Sequence, residues 1–218
     1  MRYLIDSANQ QEIDLSLKLG AAGITANPSL YLKEKINFYE FIRRYSDRGI
    51  LLTAEIIGQD NQDMMRQLEL ITEISNDVVI KLNYSAENLY FARTLKQKGV
   101  TFAFTLIFDI NQAMMAIGAG ADYLFLFVSR NEELGIDGLE FIRKVSEIIG
   151  SKGYKTKVIA ASIRTKYQVE CAALYADYIA VPFKFIEGSF HHPLTISGSK
   201  QFESDMQRVL GAGEALMN

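Results

Sequence analysis

Lys81 lies inside an unbroken apolar run, with Val78, Val79 and Ile80 before it and Leu82 after it. Such surroundings take an amine out of water, and desolvation favours its neutral form. A neutral amine attacks carbonyl carbon and forms Schiff bases. The alternatives are a lysine that snorkels outward, or one that pairs with a carboxylate for stability alone. Two carboxylates are candidates to work beside it. Asp6 closes the apolar run that begins at Tyr3, and Glu55 belongs to the run Ile50–Ile57. Either could carry out general acid–base chemistry, and with Lys81 they would titrate as a coupled set. Their plain structural role would be a buried ion pair or, for Asp6, a helix N-cap ahead of Ser7-Ala-Asn9. Thr105 stands in the run Thr101–Phe108 as a hydroxyl of the same kind, or as a core threonine.

A second constellation points to an anion. Arg130 follows Ser129 after the run Tyr123–Val128, and Ser162 and Arg164 follow the run Lys157–Ala161. Guanidinium forks match phosphate geometry, and a hydroxyl with helix N-terminal amides completes such a clamp. Two solvated surface arginines are the competing reading.

The rest of the composition removes other chemistries. One cysteine, Cys171, can form neither an intramolecular disulfide nor a cysteine zinc site. His191 and His192 are adjacent, unlike the spaced pair of a helical metalloprotease motif. Lys and Arg total 23 against 26 Asp and Glu, a net charge of −3, so no basic field recruits nucleic acid. The longest apolar stretches fall far short of the roughly 20 residues of a membrane span. Met1-Arg-Tyr-Leu-Ile-Asp6 lacks a signal-peptide core. The expectation is a soluble cytoplasmic protein.

These side chains need elements to position them. Eight short apolar runs read as strands: Tyr3–Asp6, Gly23–Thr25, Ile50–Ile57, Val78–Leu82, Thr101–Phe108, Tyr123–Val128, Lys157–Ala161 and Tyr178–Val181. Several are continuously apolar, which suits parallel strands covered on both faces. Helical stretches separate them. Asp137-Gly-Leu-Glu140 and Thr165-Lys-Tyr-Gln168 have capping-box spacing, Ser85 and Asp109 can cap two further helices, and Gly99, Gly120 and Gly153 fall where helices should stop. Phe202, Met206 and Leu210 suggest a last helix over 198–212. Without a break in composition, residues 1–218 read as a single α/β domain. Eight strand–helix units predict a closed (β/α)8 barrel, with an open doubly wound sheet as the runner-up. A barrel's site lies at the C-terminal ends of its strands, and seven of the eight ends here carry polar or charged side chains.

In that order, the motifs resemble the short branch of the transaldolase family, which includes small transaldolases and fructose-6-phosphate aldolases. Leu4-Ile-Asp6-Ser7 resembles its first-strand aspartate motif, and Ile24-Thr-Ala-Asn27-Pro28-Ser29-Leu30 its Thr-x-Asn-Pro-Ser segment. Val79-Ile80-Lys81 resembles the strand of the Schiff-base lysine, and Phe104-Thr105-Leu-Ile-Phe108 the fifth-strand threonine motif. Phe127-Val-Ser-Arg130 and Ala160-Ala-Ser162-Ile-Arg164 resemble the two phosphate segments. The likeness spans nearly the whole chain.

The resemblance implies a metal-free, cofactor-free barrel whose partners are small sugar phosphates. Lys81 would attack the C2 ketone, Asp6 would handle the C4 hydroxyl proton, and Glu55 and Thr105 would hold a proton-relaying water. Asn27, with Ser29 beside it, would contact the dihydroxyacetone unit, and Arg130, Ser162 and Arg164 would hold the phosphate. Aldolase-type members carry Gln and Tyr where this chain has Glu55 and Phe127, so the resemblance leans to transaldolase, with the aldolase and a non-catalytic phosphosugar-binding barrel as alternatives. It also implies a homo-oligomer, a pentamer or decamer, with 198–212 reaching a neighbouring subunit. The chain departs from the pattern at Leu82-Asn83, where the family usually has proline soon after the lysine. It departs again at Phe125-Leu126, where a small residue and proline are usual and a bulky Phe125 would narrow the pocket.

Overall fold

The computed structural model describes residues 1–216. In chain order the elements are β1 (Arg2–Asp6), α1 (Gln10–Lys18), β2 (Gly23–Thr25), α2 (Pro28–Glu34), α3 (Phe38–Tyr45), β3 (Leu51–Glu55), α4 (Asn61–Ile74), β4 (Val79–Asn83), α5 (Ala86–Gln97), β5 (Phe102–Ile107), α6 (Ile110–Gly118), β6 (Tyr123–Phe127), α7 (Ser129–Glu132), α8 (Gly138–Lys152), β7 (Lys157–Ala161), α9 (Lys166–Ala172), β8 (Tyr178–Val181), α10 (Phe183–Gly188) and α11 (Pro193–Leu216).

The eight strands form a closed barrel in sequence order, every neighbouring pair parallel, with β8 returning to β1. The open-sheet alternative is excluded. Closure follows from the apolar strands: buried on both faces, they need helices outside and one another's side chains inside. Leu4, Val79, Ala103, Phe125, Ile159, Tyr178 and Ala180 fill the interior together. Two residues further along the same strands, the same face carries Asp6, Lys81 and Thr105, because side chains alternate with period two. The barrel wall thus lifts its charged groups to one end.

Local signals agree with the helices. Ser85, Asp109 and Asp137 accept hydrogen bonds from first-turn amides. Thr165 and Gln168 complete a reciprocal capping box. Glu140 does not, because Arg143 holds both of its carboxylate oxygens. Gly99, Gly120 and Gly153 adopt positive φ at helix ends. Asp6 caps no helix; Asn9 caps α1. β3 stops at Glu55, two residues short of the expected end.

Met1–Phe183 form one compact unit that contains the whole barrel, and the segment from Lys184 forms a second. In the second unit α11 begins at Pro193, five residues before the expected start, since proline fits the first turn of a helix. Its Phe202, Met206, Val209 and Leu210 are exposed. No helix among the described residues is long and apolar enough to cross a membrane.

Candidate active site

Lys81 and Glu55 are register partners on β4 and β3, and both side chains are buried. Lys81 Nζ lies 2.9 Å from Glu55 Oε2 and donates a 2.7 Å hydrogen bond to the carbonyl of Ala26. Its third neighbour is the Phe125 ring, whose centroid is 5.2 Å from Nζ. Snorkelling is excluded: the amine points into the barrel and meets a carboxylate, a carbonyl and an aromatic face. Burial of the ammonium is compensated by that ion pair and hydrogen bond. On its other side Lys81 registers with Ala103 of β5, which is fully buried.

Asp6 ends β1 beside this pair. Burial pushes its carboxyl up, Lys81 pulls it back down and Glu55 raises it further. A carboxylate held high is a stronger base than an ordinary aspartate, as proton abstraction near neutrality requires. Below Glu55, the hydroxyls of Thr53 and Thr25 are hydrogen-bonded at 2.9 Å.

Thr105 is buried on β5, register partner of Asn83. The next residue, Leu106, has φ of 59°, and the β5–β6 register slips between Phe104 and Ile107. A left-handed, non-glycine residue within a bulge is the kind of local strain that re-aims a strand end. Asn83 Oδ1 is buried without a hydrogen-bond partner.

Asn27 is the N-cap of α2, and its Oδ1 accepts from Leu30 N at 3.2 Å. The residue expected to contact the dihydroxyacetone unit thus also has a structural task, which engages its carboxamide oxygen. Ser29 is exposed on the first turn of α2. Tyr31, two residues on, was not singled out by the sequence. It is buried, its ring packs edge-on against Phe38 and Phe41, and its hydroxyl has no hydrogen-bond partner. Burial and the carboxylates of Glu55 and Asp6 push its phenol well up, so it stays protonated.

At the ends of β6 and β7, Val128 N and Ser129 N bond to the carbonyls of Ala161 and Ser162. Phe127 stacks edge-on with Phe108, and the Arg130 guanidinium sits 5.2 Å from the Phe127 ring centroid. Ser162 has φ of 57°. Arg164 is not a free cation: its guanidinium pairs with Glu133. The buried Gln168 ties the two loops together. Its Oε1 accepts from Ser129 Oγ at 3.0 Å, Arg164 N at 2.7 Å and Thr165 N at 3.0 Å, while its Nε2 donates to Glu132 at 2.6 Å. At Gly138 an added Cβ would come within 2.6 Å of the Val128 carbonyl, so glycine lets α8 close on this corner.

The profile of the transaldolase/fructose-6-phosphate aldolase family matches residues 3–217. The chain belongs to that family. It is 37% identical over 211 residues to a probable transaldolase of Geobacillus kaustophilus (strain HTA426), covering 95% of this chain and 99% of the relative. A probable transaldolase of Desulfitobacterium hafniense (strain DSM 10664 / DCB-2) is 37% identical over 213 residues, covering 96% and 100%. One from Methanococcus maripaludis (strain C5 / ATCC BAA-1333) is 36% identical over 210 residues, covering 95% and 98%. As a member of the transaldolase/aldolase family the chain is an enzyme of that type. Among its described residues no three His, Cys, Asp or Glu side chains gather as a metal set would.

Proposed function

We propose that the chain is a transaldolase that carries a dihydroxyacetone unit on Lys81 from fructose 6-phosphate to an aldose phosphate such as erythrose 4-phosphate. The observation that carries this reading is the buried Lys81 amine, 2.9 Å from Glu55 Oε2 in the barrel interior. The ion pair holds the proton that must leave before the amine can attack. With that proton on Glu55, nitrogen adds to the C2 ketone and passes a proton to the new alkoxide. Glu55 then returns its proton to the carbinolamine hydroxyl, with Thr105 helping to hold the relaying water. Water departs with the C–O electron pair, and the nitrogen lone pair completes a protonated C=N bond. Asp6 removes the C4 hydroxyl proton, the C3–C4 pair flows to the iminium, and an aldehyde leaves. The enamine on Lys81 awaits an acceptor.

Asn27 and Ser29 belong to the substrate side in this reading, and Arg130 and Ser162 to the phosphate. Arg164 joins them when the phosphate displaces Glu133. Phe127 supports the transferase over the aldolase, because a phenyl ring cannot donate the proton that release of the three-carbon unit needs. The exposed apolar stripe of α11 would dock on a neighbouring subunit, in a pentamer or decamer. Charged sugar phosphates as substrates favour the cytoplasm.

The test is to incubate the protein with fructose 6-phosphate and borohydride and weigh the peptide that contains Lys81. A reduced adduct there is the expected result, and its absence removes the reading. Turnover that needs no aldehyde acceptor would reassign the enzyme as an aldolase.

A further inference from the structure

Asn83 stands on the same strand as Lys81, nearer the open end of the barrel. Val79 lies in the barrel core, Lys81 reaches Glu55 inside the barrel, and Asn83 follows two residues on in β4. Side chains alternate along a strand, so all three share the inner face. The register partner of Asn83 on β5 is Thr105, as Ala103 is that of Lys81. The intervening positions take the other face, where Tyr84 meets Phe104 edge-on with ring centroids 6.2 Å apart. Asn83 and Thr105 thus form a polar step above the Lys81–Glu55 pair.

The backbone around Asn83 is tied down. Its carbonyl accepts from Asn88 Nδ2 at 2.8 Å, and the next amide, Tyr84 N, donates to the Thr105 carbonyl at 3.1 Å. The side chain is not: Oδ1 is buried and has no hydrogen-bond partner. Buried polar atoms are paired in the great majority of cases, and each orphan calls for an explanation. Leucine has nearly the same shape and would fill the position without leaving an acceptor unpaired. A carboxamide oxygen only accepts, so the partner it lacks is a donor. Lys81 Nζ is not that donor, being engaged by Glu55 and the Ala26 carbonyl. A hydroxyl entering through the mouth of the barrel has the right character.

We propose that Asn83 is a substrate-binding residue whose Oδ1 accepts a hydrogen bond from a hydroxyl of the aldehyde acceptor. This rests on the transaldolase reading above. In that reading the three-carbon unit is bonded to Lys81 Nζ at the level of Glu55, and the acceptor enters past the strand ends. Asn83 is two residues, roughly 6.6 Å of strand, closer to that entrance. It therefore meets the incoming aldehyde. The residue selects hydroxylated acceptors, because an aldehyde without a hydroxyl leaves Oδ1 buried and unpaired.

Asn83→Leu keeps the shape and removes the acceptor oxygen; Asn83→Ala removes it by truncation and decides if the first variant fails to fold. With fructose 6-phosphate as donor, kcat/KM is measured for two aldehydes, erythrose 4-phosphate with its free hydroxyls and glycolaldehyde phosphate with none. Donor cleavage precedes acceptor binding, so this ratio reports the second half of the reaction alone. For erythrose 4-phosphate it should fall roughly tenfold, the equivalent of about one hydrogen bond. For glycolaldehyde phosphate it should hold, and the melting temperature of Asn83→Leu should not drop. An unchanged value for erythrose 4-phosphate overturns the role of Asn83. An equal fall for both aldehydes shows a packing role and also overturns it. Wild type that borohydride traps at Lys81 but that uses neither aldehyde overturns the acceptor site and leaves the Schiff base standing. Failure of the wild type to be trapped removes the underlying reading itself.

Discussion

Lys81 and Glu55 face each other in matched register on adjacent parallel strands, and their charged ends meet 2.9 Å apart inside the barrel. Because β3 and β4 run in the same direction, that register brings both residues to the same end of the barrel. The pair is a consequence of sheet geometry, and its chemistry follows from its burial.

Removing one partner should expose that dependence. Lys81→Met leaves Glu55 buried without its cation and should cost about 3–5 kcal/mol at neutral pH. Lys81→Met combined with Glu55→Gln should recover a large part of the loss. Urea unfolding measures both. Equal loss in the single and double variants would show that the two groups do not compensate each other.

Asp6 gives a pH dependence of definite sign. Its carboxyl is raised above the ordinary 3.8, so between the unfolded and folded values the native state binds more protons than the unfolded one. Stability then falls as pH rises through that window. The Asp6 contribution is complete below the unfolded value and lost above the folded one. Asp6→Asn should therefore raise the melting temperature at pH 8 and change it little in acid, while carbon–carbon cleavage is lost. A variant less stable than wild type at pH 8 would contradict the assigned burial.

Glu133 should compete with phosphate for Arg164. Glu133→Gln frees the guanidinium and should lower KM for phosphorylated donors by several-fold, on the order of 1 kcal/mol for a half-exposed ion pair. Arg130→Ala should raise KM for phosphorylated donors far more than for unphosphorylated ones. Steady-state kinetics with both donor classes decides. Equal effects of Arg130→Ala on the two classes would remove it from the phosphate site.

The α11 stripe should hold subunits together. Phe202→Glu with Met206→Glu should lower the mass measured by light scattering to that of a smaller assembly, with the barrel's circular dichroism unchanged. The same mass in both proteins would leave that face without a role in assembly.

All eight strands and their order were legible in the sequence, because apolar runs bounded by caps and glycines are local features. The candidate residues Asp6, Glu55, Lys81 and Thr105 were legible for the same reason: a charged or polar side chain near the end of a buried strand is conspicuous. The contacts that define the site were not. Nothing near Ala26 marks its carbonyl as the acceptor for Lys81 Nζ. Tyr31 reads as an ordinary helix-face aromatic, and Gln168 as a helix cap. Glu133 lies in a run of polar residues with nothing to tie it to Arg164.

The sequence by itself determined the barrel and the candidate side chains, since period-two alternation and capping act over a few residues. Only the tertiary structure decided how they were satisfied. It turned Lys81 inward onto Glu55, paired Arg164 with Glu133 and left the Tyr31 hydroxyl unpaired. The two ion pairs join groups 26 and 31 residues apart in the chain, which become neighbours only when β3 pairs with β4 and β6 with β7.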